Sequence, residues 1–151
     1  MLWTISNGQT NYVFEVSKGT WNFPIKTVIS IDTREAGCLG GRSNSFMLTL
    51  KAECAQEVRA IQAGEIADVT EIAGVKMVML RAGNYFLFTT LLRKLKQKGD
   101  KVVQGNIIGT LAKGDDGKTF DLMLMLFNQG KQININSWFD WHTAHYINLL
   151  Q

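Results

Sequence analysis

Alternation of apolar and polar positions, or runs of apolar ones of strand length, recur over residues 12–16, 24–31, 45–50, 57–61, 65–72, 75–81, 85–89, 107–111 and 119–127. These stretches are rich in β-branched and aromatic residues, and the two features together mark strands with one face buried. Between them stand the turn dipeptides Gly40-Gly41, Ala63-Gly64, Ala73-Gly74, Gly83-Asn84, Gly105-Asn106 and Asp116-Gly117, at the spacing of a sandwich or barrel. The pattern predicts an all-β fold. Helical periodicity is confined to a short stretch over 91–98 and to 138–150, where a terminal helix would open after Ser137. The segment 121–127, Asp-Leu-Met-Leu-Met-Leu-Phe, is an almost unbroken apolar run, as in a strand covered on both faces.

A length of 151 residues corresponds to one domain, and a single proline with 14 scattered glycines offers no linker at which to divide it. Hydrophobic residues make up 46% and charged residues 19%, which excludes a disordered or fibrous chain. The net charge of +3 is too small to imply a nucleic-acid or membrane partner by itself. The longest apolar runs, 85–92 and 122–127, are strand-sized, so no membrane-spanning helix is expected. Residues 1–10 lack the pattern of a signal peptide. The expected location is therefore the cytoplasm, or the cell envelope or periplasm if a leader has been removed. Cys38 and Cys54 either form one bridge or remain two thiols, and their spacing fits no metal motif.

Several segments in order resemble the lysostaphin-type (LytM-like) zinc metalloendopeptidases of the duplicated hybrid motif superfamily, which cut peptide crosslinks in bacterial cell wall. Val58-Arg-Ala60 with Gly64-Glu-Ile66 resembles one hairpin of that family, and 75–80 with Gly83-Asn-Tyr85 resembles the next. Gly99-Asp-Lys-Val102, Gly105-Asn-Ile-Ile-Gly109 and Gly114 are similar to its "G-D-x-V, x-x-G-x-x-I-G" signature, a pattern shared with biotinyl and lipoyl domains. Residues 120–127, Asn128-Gln-Gly130 and Ile135-Asn-Ser-Trp-Phe139 resemble its closing segment. The resemblance implies an antiparallel β-sandwich or barrel with a core over 45–141, N-terminal strands over 1–44 and a short C-terminal helix within 142–151. Val58, Ile66, Val78, Leu80, Phe86, Phe88, Val102, Ile108, Leu122, Leu124 and Leu126 are expected inside.

The same resemblance locates the site and finds its ligands missing. The H-x-x-x-D pair of the family falls on Ser45 and Thr49, its H-x-H pair on Asp121 and Met123, and a further histidine on Thr90. A catalytic zinc needs three nitrogen or oxygen ligands and an open water position. Hydroxyls and a thioether are poor partners for zinc, and no histidine precedes His142. The expectation is a degenerate active site with no metal and no cofactor. In this reading the former groove, lined by Ser45, Thr49, Thr90, Asp121 and Met123, holds a partner protein or a wall peptide. A hydrolase with rebuilt chemistry is the alternative, and would need a cysteine or histidine in reach of Asp121. A biotinyl or lipoyl carrier is weaker, because no lysine stands in the usual flanking motif.

Other candidates have plainer readings. His142 and His145 have H-x-x-H spacing but no nearby cysteine or glutamate to complete a metal site. Asp115 and Asp116 read as a turn, without the alternating oxygens of a calcium loop. Arg93, Lys94, Lys96, Lys98 and Lys101, opposed only by Asp100, could meet an anionic partner or form a solvated hairpin. No aromatic residue interleaves with them, which disfavours stacking on single-stranded nucleic acid. Trp3, Trp21, Trp138 and Trp141, with Tyr12 and Phe14, either form a recognition patch or bury one another where the chain ends pack together.

Overall fold

The computed structural model describes residues 7–32, 35–36, 45–72, 75–91, 96–113 and 117–141. One helix, α1 (Asn7–Val16), precedes thirteen strands: β1 (Ser30–Asp32), β2 (Glu35–Ala36), β3 (Ser45–Phe46), β4 (Leu48–Ala52), β5 (Glu57–Arg59), β6 (Gly64–Ile72), β7 (Val75–Ala82), β8 (Tyr85–Leu91), β9 (Lys101–Val102), β10 (Ile107–Thr110), β11 (Ala112–Lys113), β12 (Phe120–Asn128) and β13 (Lys131–Ile133). A 3-10 turn, Ile135–Trp138, follows. No described helix is long and apolar enough to cross a membrane. The expected C-terminal helix lies outside the described residues.

The principal sheet is antiparallel in the order β1-β4-β12-β8-β7-β6-β9, with β11 and β13 also on β12. Each long strand sends alternate residues inward. Leu48, Leu50 and Ala52 of β4, Leu122, Leu124 and Leu126 of β12, Leu87 of β8, and Val78, Leu80 and Ala82 of β7 are all buried. Over them lies the β5–β10 ribbon, which contributes Val58 and Ile108, and together the two layers line an internal void of only about 10 Å³. That is at the limit for one water, as expected of a core packed at crystal density.

Phe86 and Phe88 do not join this core. Tyr85, Leu87 and Thr89 point inward and the two phenylalanines are half-buried on the opposite face. In a strand as apolar on one face as on the other, composition does not fix the phase; the register does. For the same reason the run 121–127 is not covered equally on both sides: its even positions are buried and its odd positions only partly so.

The expected strand over 12–16 is the second half of α1. Valine and tyrosine favour strands, but that preference is weak where tertiary contacts act at helical spacing. Here Asn11, Phe14 and Glu15 fall at i, i+3 and i+4, on one helical face. Asn11 Oδ1 accepts from the Asn84 amide at 2.8 Å, and Glu15 Oε1 accepts from the Tyr85 hydroxyl at 2.9 Å. Between them Phe14 stacks on Tyr85, with ring centroids 4.4 Å apart. Tyr12, Val13 and Val16 face solvent.

Phe14 also meets Trp21 and Trp138, at 5.4 and 5.2 Å between centroids. The carbonyl of Trp138 accepts from the amides of Gly19 and Trp21, and the carbonyl of Trp21 accepts from the Asp140 amide. The two ends of the described chain are thus joined, and Trp21 and Trp138 are core residues rather than an exposed patch. Trp141 is partly buried against them, while Trp3 lies outside the described residues.

The β7–β8 turn carries the helix contact. Gly83 has φ +62°, the value that the first central residue of a type II′ turn requires. A Cβ there would also collide with the Asn11 side chain. Gly83→Ala should therefore cost roughly 1–3 kcal/mol in chemical denaturation, and Asn11→Gly in the same background should recover part of the loss. Burial and the Glu15 carboxylate push the Tyr85 phenol up to about 12. A raised folded value means stability that is full below the ordinary tyrosine value and declines as pH rises towards 12. An ultraviolet titration should show one phenol ionising near 12, and Tyr85→Phe should abolish that step.

Candidate functional site

The second face of the principal sheet carries the positions that the sequence singles out. Thr49 of β4 is the cross-strand partner of Met123 of β12, as Lys51 is of Asp121. Thr90 Oγ1 accepts from the Met123 amide at 3.0 Å, which satisfies that amide at the end of the β8–β12 pairing. Across β8 the row continues through the pairs Thr90 with Met77 and Met77 with Thr70. A second row runs from Met125 to Phe88 to Met79 to Asp68, and a third from Phe127 to Phe86 to Arg81 to Glu65. Phe88 and Phe127 meet edge to face at 5.1 Å.

The structure therefore brings Thr49, Thr90, Asp121 and Met123 together and places Ser45 apart. Ser45 lies in β3, which pairs with β2 opposite Ala36 and not with β12. Asp121 is not a free carboxylate: Lys51 Nζ stands 3.3 Å from Oδ2, and Thr119 Oγ1 is 3.3 Å from Oδ1. No cysteine or histidine is among its described partners. Cys54 is free and exposed, whereas Cys38, His142, His145, Arg93 and Lys94 lie outside the described residues.

This donor set does not fit zinc. Thr49 and Thr90 offer neutral hydroxyls, Met123 a thioether, and Asp121 an oxygen pair already matched to an ammonium. Among the described residues no three acidic, cysteine or histidine side chains converge on one point. What the face does offer is soft apolar surface. Met77, Met79, Met123 and Met125 share it with Phe86, Phe88 and Phe127, with a polar margin at Lys51 and Asp121. Unbranched thioether side chains adapt to irregular partners.

The extent of this surface escaped the sequence reading. Its signal is the repeated Met-x-Met at 77–79 and 123–125, each of which puts two thioethers on one face of a strand. Only the pairing of β7, β8 and β12 shows that the two pairs lie on the same face.

No protein-family model matches the chain, and no curated protein emerges as a relative. Solved structures do share its architecture. Helicobacter pylori Csd3 superposes with a TM-score of 0.61 at 19% identity, over 82% of this chain and 37% of Csd3. The catalytic domain of the prophage-encoded M23 protein EnpA from Enterococcus faecalis, as a point mutant, gives 0.59 at 19% identity, over 78% of this chain and 95% of that domain. The antimicrobial peptidase lysostaphin from Staphylococcus simulans gives 0.55 at 16% identity, over 89% of this chain and 55% of lysostaphin. The chain spans little more than a third of Csd3 and about half of lysostaphin. At these identities the likeness establishes the fold, which is that of the lysostaphin-type peptidases.

The Thr90 hydroxyl has a role that can be isolated. Thr90→Val should leave the Met123 amide unpaired and cost about 1–3 kcal/mol in denaturant unfolding, whereas Thr90→Ser should keep most of the stability.

Proposed function

We propose that this chain, which has the lysostaphin-type peptidase fold, acts by binding a partner protein or a cell-wall peptide rather than by hydrolysis. The observation that carries this reading is the row Thr49, Met123 and Thr90 beside the Lys51–Asp121 pair. By the family resemblance Thr49, Thr90, Asp121 and Met123 take the places of metal ligands, and hydroxyls, a thioether and a lysine-paired carboxylate do not suit a water-activating zinc centre. A peptide laid over them would meet thioethers and phenyl rings in place of a nucleophile. In this role the domain is a scaffold, or an activator of wall hydrolysis carried out by another protein.

The fold supports a wall peptide as the partner, since the solved neighbours include lysostaphin and an M23 catalytic domain. Asp121 lacks a cysteine or histidine neighbour among its described contacts, which counts against rebuilt hydrolytic chemistry.

Two measurements on the same preparation test the proposal. Protein purified without chelator should contain far less than one zinc per chain and leave a glycine-rich wall-type peptide uncut. Stoichiometric zinc with cleavage would overturn it. The uncut peptide should bind in fluorescence anisotropy, and Met123→Lys should weaken that binding roughly tenfold, the equivalent of about 1.4 kcal/mol.

A further inference from the structure

At one end of the molecule, residues 96–107 form a cationic surface with an apolar tip. Lys96, Lys98 and Lys101 are exposed, and none has an ion-pair partner among the described residues. The acids around them are already committed. Asp100 Oδ2 accepts from the Gln97 amide at 2.8 Å. Glu65, the cross-strand neighbour of Lys101, directs its carboxylate to Arg81 at 3.5 Å. Glu57 is likewise 3.5 Å from Arg59, whose Nη1 donates to the Gly105 carbonyl.

Within the same segment two branched hydrophobic residues stand in solvent: Val103 is 59% exposed and Ile107 39%. They flank a tight turn in which the Val103 amide donates to Asn106 Oδ1 and the Asn106 amide to the Val103 carbonyl. The turn is tied down at its base. Gly105 and Asn106 bond to the backbone of Ala60, Lys96 bonds to Ile108, and Gly99 bonds to Ile66. The cations and the apolar pair are therefore held on a rigid mount rather than on a free tail.

We propose that this end docks on the surface of an anionic phospholipid bilayer, with the lysines at the headgroups and Val103 and Ile107 entering the interface. Lysines alone would serve any polyanion, since their attraction to phosphate is not selective. The apolar pair favours the bilayer, because a solvated soluble polyanion offers nothing to bury them against, whereas an interface does. None of these five residues belongs to the rows of β4, β12, β8 and β7, so the inference does not rest on the function proposed for those rows.

The test uses the full chain in co-sedimentation with vesicles. Binding to mixed phosphatidylcholine–phosphatidylglycerol vesicles at low salt, without binding to pure phosphatidylcholine, is expected. Replacing Lys96, Lys98 and Lys101 together by glutamine should weaken it about tenfold or more. Val103→Ser with Ile107→Ser should weaken vesicle binding several-fold and leave binding to soluble long-chain polyphosphate unchanged. All five positions are exposed, and the thermal midpoint of each variant reports that its fold is kept. Failure of the wild-type chain to bind anionic vesicles overturns the proposal. So does retention of full vesicle binding by the lysine variant. Vesicle binding unaffected by the serine pair also overturns it, by assigning the surface to soluble polyanions.

Discussion

The strand Phe120–Asn128 is the element on which the rest of the structure depends. It pairs with β4 over its first half, with β8 over its second half, and with β11 and β13 at its two ends, so four neighbours take their register from it. Its even positions Leu122, Leu124 and Leu126 are fully buried, and its odd positions carry Asp121, Met123, Met125 and Phe127. A slip of one residue would send the aspartate into the core and three leucines to the other side. Burial of Leu122 and its partners therefore specifies the candidate site, which consists of whatever the same strand presents on its second face.

The aromatic group of Phe14, Trp21, Tyr85 and Trp138 closes the domain at the other end of that logic. Stacked and edge-to-face pairs of this kind add to the area their rings remove from water. Here they also convert an unpromising segment into a helix. α1 has no apolar stripe of ordinary width, and its exposed side carries tyrosine and valine. It is held by one ring and two side-chain hydrogen bonds to the β7–β8 turn and to Tyr85. Helical structure that rests on packing rather than on propensity leaves little local trace in a sequence.

That contrast explains what could be read from the amino acids and what could not. The hairpins of β6, β7 and β8 were legible because alternation and the Gly83-Asn84 turn are local signals. Thr49 and Met123 were singled out separately by the family resemblance, and only the register shows that they lie opposite one another. Ser45, taken from the same resemblance, is set off from them because β3 breaks from β4 at Met47 and pairs with β2, a break that no local signal marks. Phe86 and Phe88 were assigned to the wrong face because phenylalanine is compatible with either one. The joining of the two Met-x-Met pairs into one surface escaped for a different reason: nothing along the chain links residue 77 to residue 123, and only strand pairing brings them to the same face.

The concentration of thioethers on one sheet face ties that face to the oxidative state of its surroundings. Met77, Met79, Met123 and Met125 are each half-buried, outside the sealed leucine core. Conversion to the sulfoxide replaces a pliable apolar group with a polar, chiral one, and enzymes exist that reverse it. Four such changes on adjoining strands would turn a greasy platform into a wet one without disturbing the leucines behind it. If this face binds as proposed, the domain would lose its grip under peroxide while remaining folded, and regain it on repair.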